Sequence, residues 1–294
     1  MEYDKEILTF EQQLVLLEER GLIIDNLPQS VNYLKNISYY RLSGYWWSLQ
    51  ISSAQHEFED GTTFAEIINR YTFDRKLRLI VFDAIERIEV SLRTSLIYFL
   101  SHETQDWNWF EDFSHFKNEN HFDDILATID RELAQSNQIF IAEHENKYGR
   151  TKRPPCLKTL EVVSLGTLSK IYRNLNSRHP AKAKISNSIG LSSVSNAESW
   201  LRTISSIRNK VAHHSRLWND KLPFQMAWLS NPKSKWITQP DRRGLQRIYY
   251  FLSSILYILE TVSPEHSIRT RLKDLVLSKP ESVTLRSMGF PSNW

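Results

Sequence analysis

Residues 195–219 read SNAESWLRTISSIRNKVAHHSRLWN, and the spacing of their apolar positions decides the fold class. At about 100° per residue, Trp200, Ile204, Ile207 and Val211 fall on one face with steps of four, three and four. That is the stripe of a helix burying one side. Measured from Trp200, Asn209 and His213 lie at roughly 180° and 220°, away from the stripe. His214 comes round to roughly 320°, which predicts a satisfied histidine at the edge of the core. Arg208 and His213 are five positions apart, about 140° around a straight helix, so they cannot grip the same atom. For them to act together, the helix must break near Ala212, or a second copy of the motif must face the first across a two-fold axis.

The same periodicity recurs along the chain and predicts an all-α protein. From about Thr72 to Ser101, Phe73, Leu77, Ile80, Ala84, Ile88, Leu92, Ser95 and Phe99 repeat at threes and fours. The opposite face carries Glu86, Glu89 and Arg93, interrupted by apolar Leu79, Phe82 and Val90, so it is expected to meet another surface. Thr9 followed by Glu11, Gln12 and Gln13 predicts a helix start, with the helix running to Arg20 and stopping at Gly21. Further helices are expected after Pro28, over about Asp123–Tyr148, over Leu160–Leu175, over Pro180–Gly190, from Pro240-Asp241 onward, and as a short basic segment after Pro264 with Arg269, Arg271 and Lys273. In the Pro240 helix, Leu245, Ile248, Leu252, Ile255 and Leu259 form a narrow stripe that suits a bundle helix or a dimer seam. Only eight glycines and few strand-like alternations agree with this class. The organisation expected is an amino-terminal helical and aromatic segment over 1–62, a bundle over 63–262 and a carboxy-terminal helix and tail over 263–294, with the turn-rich HEFEDGTT (56–63) as the first boundary.

Composition bounds the function. A chain of 294 residues with 41% hydrophobic and 12% aromatic content can fill a sizeable core. Lys plus Arg number 37 against 34 Asp plus Glu, so any nucleic-acid site must be local rather than global. A single cysteine, Cys156, excludes a disulfide framework and a multi-cysteine zinc site, and fits the cytoplasm. No targeting segment or membrane span is predicted. Glycine-rich phosphate loops, dinucleotide fingerprints and nucleophile elbows are all missing. His102, His115 and His121 stand thirteen and six apart without paired-ligand spacing, so no metal site and no cofactor is expected. Two stretches suit phosphate or base contact. Lys147–Pro155 (KYGRTKRPP) is a cationic loop with Lys147, Arg150, Lys152 and Arg153, either a phosphate contact or a plain solvated charge run. Tyr39–Trp47 packs five aromatics around Gly44, either as a stacking platform or as a knot of core rings with Arg41 keeping a charged role.

Arg208-Asn209-x-x-x-His213 resembles the signature of HEPN-domain ribonucleases. The longer RNKVAHHSRLWN, the early QQLVLLEERGLIIDN and YLKNISYYRLSGYWW, the FDRKLRLIVFDAIERIEVSLRTSL block and the terminal MGFPSNW resemble bacterial abortive-infection proteins of the AbiD/AbiF type over nearly the whole chain. The family often carries Cys at the position of Val211, on the core side of the helix. The resemblance implies a HEPN-like helical bundle with amino- and carboxy-terminal additions, and a homodimeric endoribonuclease toxin that cuts RNA without metal in anti-phage defence, under restraint by an antitoxin protein or small RNA. In that scheme His213 is the general base or acid. Arg208 clamps the phosphate, and Asn209 orients His213 or a phosphate oxygen. His214, Glu86, Glu89 and Arg93 are supporting candidates, and Arg41, Lys147, Arg150, Lys152, Arg153 and Arg216 are candidate RNA contacts. A catalytically silent RNA- or partner-binding module, or a structural dimeric scaffold, are the alternatives that the residues themselves leave open.

Overall fold

A computed structural model describes residues 6–52, 55–149, 152–232, 244–292 and 294. The described residues are mainly helical. In chain order they form α1 (Phe10–Glu19), α2 (Leu27–Ile37), α3 (Tyr39–Trp46), the strands β1 (Gln50–Ser52) and β2 (Glu57–Phe58), α4 (Phe64–Thr104), α5 (Glu119–Ala134), α6 (Ile139–Tyr148), α7 (Cys156–Val162), α8 (Leu165–Asn174), α9 (Pro180–Ser188), α10 (Val194–Ala212), α11 (Ile248–Val262) and α12 (Ile268–Leu277). Among the described residues the only sheet is the antiparallel β1–β2 pair, in which Gln50 faces Phe58 and Ser52 faces Glu57. The chain divides into two compact units, one of Met1–Leu77 with Lys273–Thr284 and one of Arg78–Leu272 with Leu285–Trp294. The division falls inside α4, whereas the sequence pattern places a boundary at the connector before it. No described helix is long and apolar enough to cross a membrane.

Local chemistry explains most element ends in the amino-terminal unit. Thr9 accepts the Gln12 amide N–H while Gln12 Oε1 accepts the Thr9 amide N–H, a closed capping box at the start of α1. Asn26 caps α2, with Pro28 in the first turn. In the aromatic block, Tyr45 and Trp46 are buried and Tyr45 donates to the buried Asp74 carboxylate at 2.6 Å. Tyr40 and Trp47, however, are 88% and 63% exposed, so the block is only partly a core knot. The connector over 56–63 contributes β2, a hairpin strand too short to leave a period-two pattern.

In the larger unit, two predicted helices are each broken. The segment over 123–148 becomes α5 and α6, parted at 135–138, and the segment over 160–175 becomes α7 and α8, parted at Val163 and Ser164. Ser164 Oγ accepts the Thr167 amide N–H, and Glu132 from α5 accepts both the Ser164 amide and the Thr167 hydroxyl. The new helix start is thereby satisfied. The predicted start of α11 at Pro240-Asp241 lies outside the described residues. Every residue from Ile248 to Leu259 is buried, so α11 is wrapped on all sides and is no dimer seam. Of the three cations that mark the basic segment after Pro264, Arg269 pairs with Glu260 and Arg271 with Asp83. At the carboxy terminus, Gly289 is left-handed at φ +83, and a Cβ there would meet Arg247 Cβ at 2.5 Å. Only glycine fits. It turns Phe290 onto Tyr249 and Trp294, with ring centroids at 4.5 and 4.9 Å.

The back of α10 is fixed twice. Trp200 is fully buried and donates to the Ala227 carbonyl at 2.8 Å, which the Tyr250 hydroxyl also bonds at 2.9 Å, while Ser199 accepts the Ala227 amide. On another side, the Lys182 ammonium is wholly buried, bonds Glu198 of α10 at 2.6 Å and the Leu175 carbonyl at 2.8 Å, and so ties α9 and the end of α8 to the motif helix. Burial pushes this lysine below its usual range, opposed by the Glu198 carboxylate. Lys182→Met leaves Glu198 and a helix-terminal carbonyl without their donor. Because Glu198 is partly exposed and also pairs with Lys117, the expected cost is about 2–3 kcal/mol in urea unfolding, below the full cost of breaking a buried pair.

Three histidines make stability pH-dependent. Burial holds His144, His179 and His266 below the ordinary imidazole range. Nε2 of His144 and of His266 is buried without a hydrogen-bond partner. The unfolded chain therefore takes up protons that the folded chain refuses. The stabilisation is complete above the unfolded histidine pKa and is lost as pH falls from there through the lower folded values, so Tm is expected to drop by several degrees between about pH 7 and pH 5. An unchanged Tm in a scanning-calorimetry series would contradict this.

Candidate functional site

α10 ends at Ala212 for a reason visible in its backbone. His213 is the C-cap, with φ −87 and ψ 12, and donates its amide to the Asn209 carbonyl at 3.0 Å. His214 follows in the left-handed region at φ 57, its amide bonding the Val211 carbonyl at 3.1 Å while the Ser215 amide reaches the Lys210 carbonyl at 2.9 Å. This is a Schellman closure with histidine where glycine is usual, at a cost of about 1 kcal/mol. The helical-wheel angle for His214 therefore does not apply. His214 is exposed and not a core-edge residue. The helix breaks where convergence of Arg208 and His213 within one chain would require it.

Several polar side chains of α10 hold the fold together. Asn196, Ser199 and Glu198 are bonded into the fold, and Lys210 pairs with Asp220. Arg208, Asn209 and His213, by contrast, make no side-chain hydrogen bond among the described residues. Asn209 and His213 are exposed, and Arg208 retains 35% of its side-chain surface with all five donors unsatisfied by the described chain. Its one ion-pair partner among the described residues is Glu89 Oε2 at 3.9 Å.

Arg208 closes one side of a concavity of about 220 Å³, open to solvent, whose other lining comes from α4: Phe82, Ile85, Glu86, Glu89, Val90 and Arg93. Glu89 also bonds Arg93 at 3.0 Å, and Arg93 donates onward to the Val163 carbonyl at 3.1 Å. Glu89 thus stands between two guanidinium groups, and Arg93 Nε is buried without a partner. The structure brings Glu86, Glu89 and Arg93 to Arg208. Asn209 and His213 lie outside the lining of this concavity. The Glu89–Arg93 pair was legible from its i,i+4 spacing, whereas the Glu89–Arg208 link crosses two helices and left no local signal. Lys182 was overlooked, although a lysine three positions before Ile185 and seven before Ile189 on an apolar stripe is such a signal.

The expected cationic loop is weaker than its composition. Arg153 forks onto Asp130 at 2.6 and 2.8 Å and reaches Glu111 at 3.4 Å, so its charge is compensated within the chain. Lys147 lies over the Tyr148 ring at 5.1 Å, Lys152 is exposed, and Arg150 lies outside the described residues. Arg216 is half-buried beyond the motif, and Arg41 is exposed on α3. Among the described residues no group of three or more His, Cys, Asp or Glu side chains is placed to hold a metal. Cys156 is buried beside Ser101, and burial pushes its thiol up, which suits packing and not nucleophilic attack.

Fold and site together define an all-α protein with an unbonded Arg-Asn-His set at the end of a firmly anchored helix. Residues 32–219, well over half of the chain, match the Abi-like protein family. The chain belongs to that abortive-infection family. No curated protein and no solved structure matches it.

Proposed function

We propose that the chain is an endoribonuclease of abortive infection that cuts RNA with Arg208, Asn209 and His213, working as a homodimer without a metal. The observation that carries this is that Arg208, Asn209 and His213 make no side-chain hydrogen bond among the described residues, whereas Asn196, Glu198, Ser199 and Lys210 of the same helix are bonded into the fold. Exposed polar side chains are satisfied by water and need no partner in the fold, so these three are open to an external ligand, and their residue types suit a phosphodiester.

The chemistry asks little beyond these groups, because RNA supplies its own nucleophile. The His213 imidazole takes the proton of a ribose 2′-hydroxyl. The 2′-oxygen bonds to the adjacent phosphorus, the bond from phosphorus to the 5′-oxygen breaks, and that oxygen takes a proton from a protonated imidazole. The products are a 2′,3′-cyclic phosphate and a 5′-hydroxyl. Arg208 presents a planar fork to the oxygens on which charge builds, and Asn209 orients the imidazole or a phosphate oxygen. Glu89 keeps the arginine in place between turnovers, and Arg93 holds Glu89 back from closing on it. Arg93→Ala is therefore expected to cut about tenfold more slowly, as mispositioned catalytic groups do, and to lose about 1–3 kcal/mol of stability because Glu89 and the Val163 carbonyl lose their donor. Full activity in a folded Arg93→Ala protein would remove this pair from the site.

The test is cleavage of a labelled mixed-sequence RNA in excess EDTA, with the product ends analysed. The proposal expects cutting with 2′,3′-cyclic phosphate ends. Products ending in 3′-hydroxyl, or cutting that stops in EDTA, would contradict it. RNA binding without any cutting would favour a binding module using the same surface.

A further inference from the structure

The two compact units differ in charge. The unit of Met1–Leu77 with Lys273–Thr284 holds 9 Lys and Arg against 14 Asp and Glu, a net −5. The unit of Arg78–Leu272 with Leu285–Trp294 holds 28 against 20, a net +8. Polyanions are drawn to the second and repelled by the first. Yet the acidic unit carries the most exposed aromatic rings of the described chain. Tyr40 and Trp47 stand at i and i+7 on one face of α3 and its continuation, with Gly44 between them. A side chain at Gly44 would meet nothing within 4 Å. The two rings thus flank a shallow notch. Ile51, 69% exposed, follows on β1, and Glu57, Glu59 and Asp60 are exposed on and just after the paired strand β2.

We infer that this face of α3 is a docking site for a basic, apolar segment of a protein partner. Two observations select that occupant. Acidic side chains on the hairpin that follows the uncovered rings complement lysine or arginine interspersed with large apolar residues, and lysine and arginine also stack on exposed aromatic faces. The uncovered rings and Ile51 amount to on the order of 400 Å², within the range of a functional surface patch but about half of what each partner contributes to a standard interface. A short segment fits that area better than a second folded copy does. RNA is disfavoured by the −5 charge, although the same rings would stack on bases if the electrostatics allowed it. Arg41, a candidate RNA contact by residue type, therefore stands in an acidic unit. The inference is independent of the ribonuclease proposal, since none of these residues belongs to the Arg208 site.

The experiment uses the full-length protein and three fluorescent probes: an amphipathic Leu/Lys peptide, its Leu/Glu counterpart and a single-stranded RNA. Anisotropy is expected to show Leu/Lys binding that weakens at least tenfold in Tyr40→Ala/Trp47→Ala, the loss typical of aromatic hot spots. Glu57→Gln/Asp60→Asn keeps the rings and tests the charge separately, and should weaken the same binding and flatten its salt dependence. RNA binding should be unchanged in both. The inference is overturned if the Leu/Lys peptide does not bind, if its binding is indifferent to either variant, or if the Leu/Glu peptide binds equally well. It is also overturned if RNA binding falls with the two rings, or if the ring variant changes self-association in sedimentation, which would make a second copy the occupant.

Discussion

His213→Ala is expected to lower RNA cleavage by about 10²–10⁴-fold, the usual contribution of a positioned general acid or base, while RNA affinity changes little. The imidazole is exposed and bonded to no other described side chain, so its removal disturbs no packing. Its backbone role survives, because the amide that caps α10 through Asn209 remains. Binding should persist because phosphate contact rests on cations, Arg208 foremost, and would show the steep salt dependence of phosphate binding. Arg208→Ala should therefore differ from His213→Ala by losing both cutting and part of the affinity. Equal cutting by wild type and His213→Ala would remove the histidine from the mechanism.

Phe82→Asp is expected to convert a dimer to a monomer and to abolish cutting with it. Leu79, Phe82 and Val90 are exposed on the face of α4 that carries Glu86, Glu89 and Arg93, beside the concavity closed by Arg208. In a two-fold contact the same patch meets itself, so one substitution places two carboxylates in the interface. Desolvating unpaired charges costs several kcal/mol, enough to dissociate an assembly of ordinary strength. The monomer itself should keep its Tm, since Phe82 faces solvent within one chain. Sedimentation and cleavage measured on the same sample decide this. A monomer that cuts as well as wild type would separate the patch from catalysis.

The helical class was legible because apolar side chains mark the buried face of each helix directly. In α4 all the stripe residues from Phe73 to Ser95 are buried. The breaks were not legible, because Ser164 looks like any small residue in an apolar run until Glu132 arrives from α5 to satisfy the new helix start. α11 misled for a related reason. Tyr250, Ser254 and Tyr257 appear as the polar side of a stripe, yet they are buried, the Tyr250 hydroxyl bonding the Ala227 carbonyl and Ser254 the Tyr250 carbonyl. At the site, residue types were readable, and spacing left two ways for Arg208 and His213 to act together, a break near Ala212 or a second copy of the motif. The left-handed His214 that makes the break and the placement of Glu89 against Arg208 depend on tertiary geometry.

That break alters what must be tested. A straight helix would have kept Arg208 and His213 of one chain apart, but α10 ends between them, so a working pair within one chain is geometrically open. The dimeric account instead pairs Arg208 of one copy with His213 of the other. The most direct measurement mixes Arg208→Ala with His213→Ala protein after subunit exchange and records RNA cleavage. In a two-fold dimer about half of the assemblies are mixed and each retains one intact cross-pair, so about a quarter of wild-type activity should return. A mixture that dimerises yet cuts no better than either variant alone would contradict the shared site.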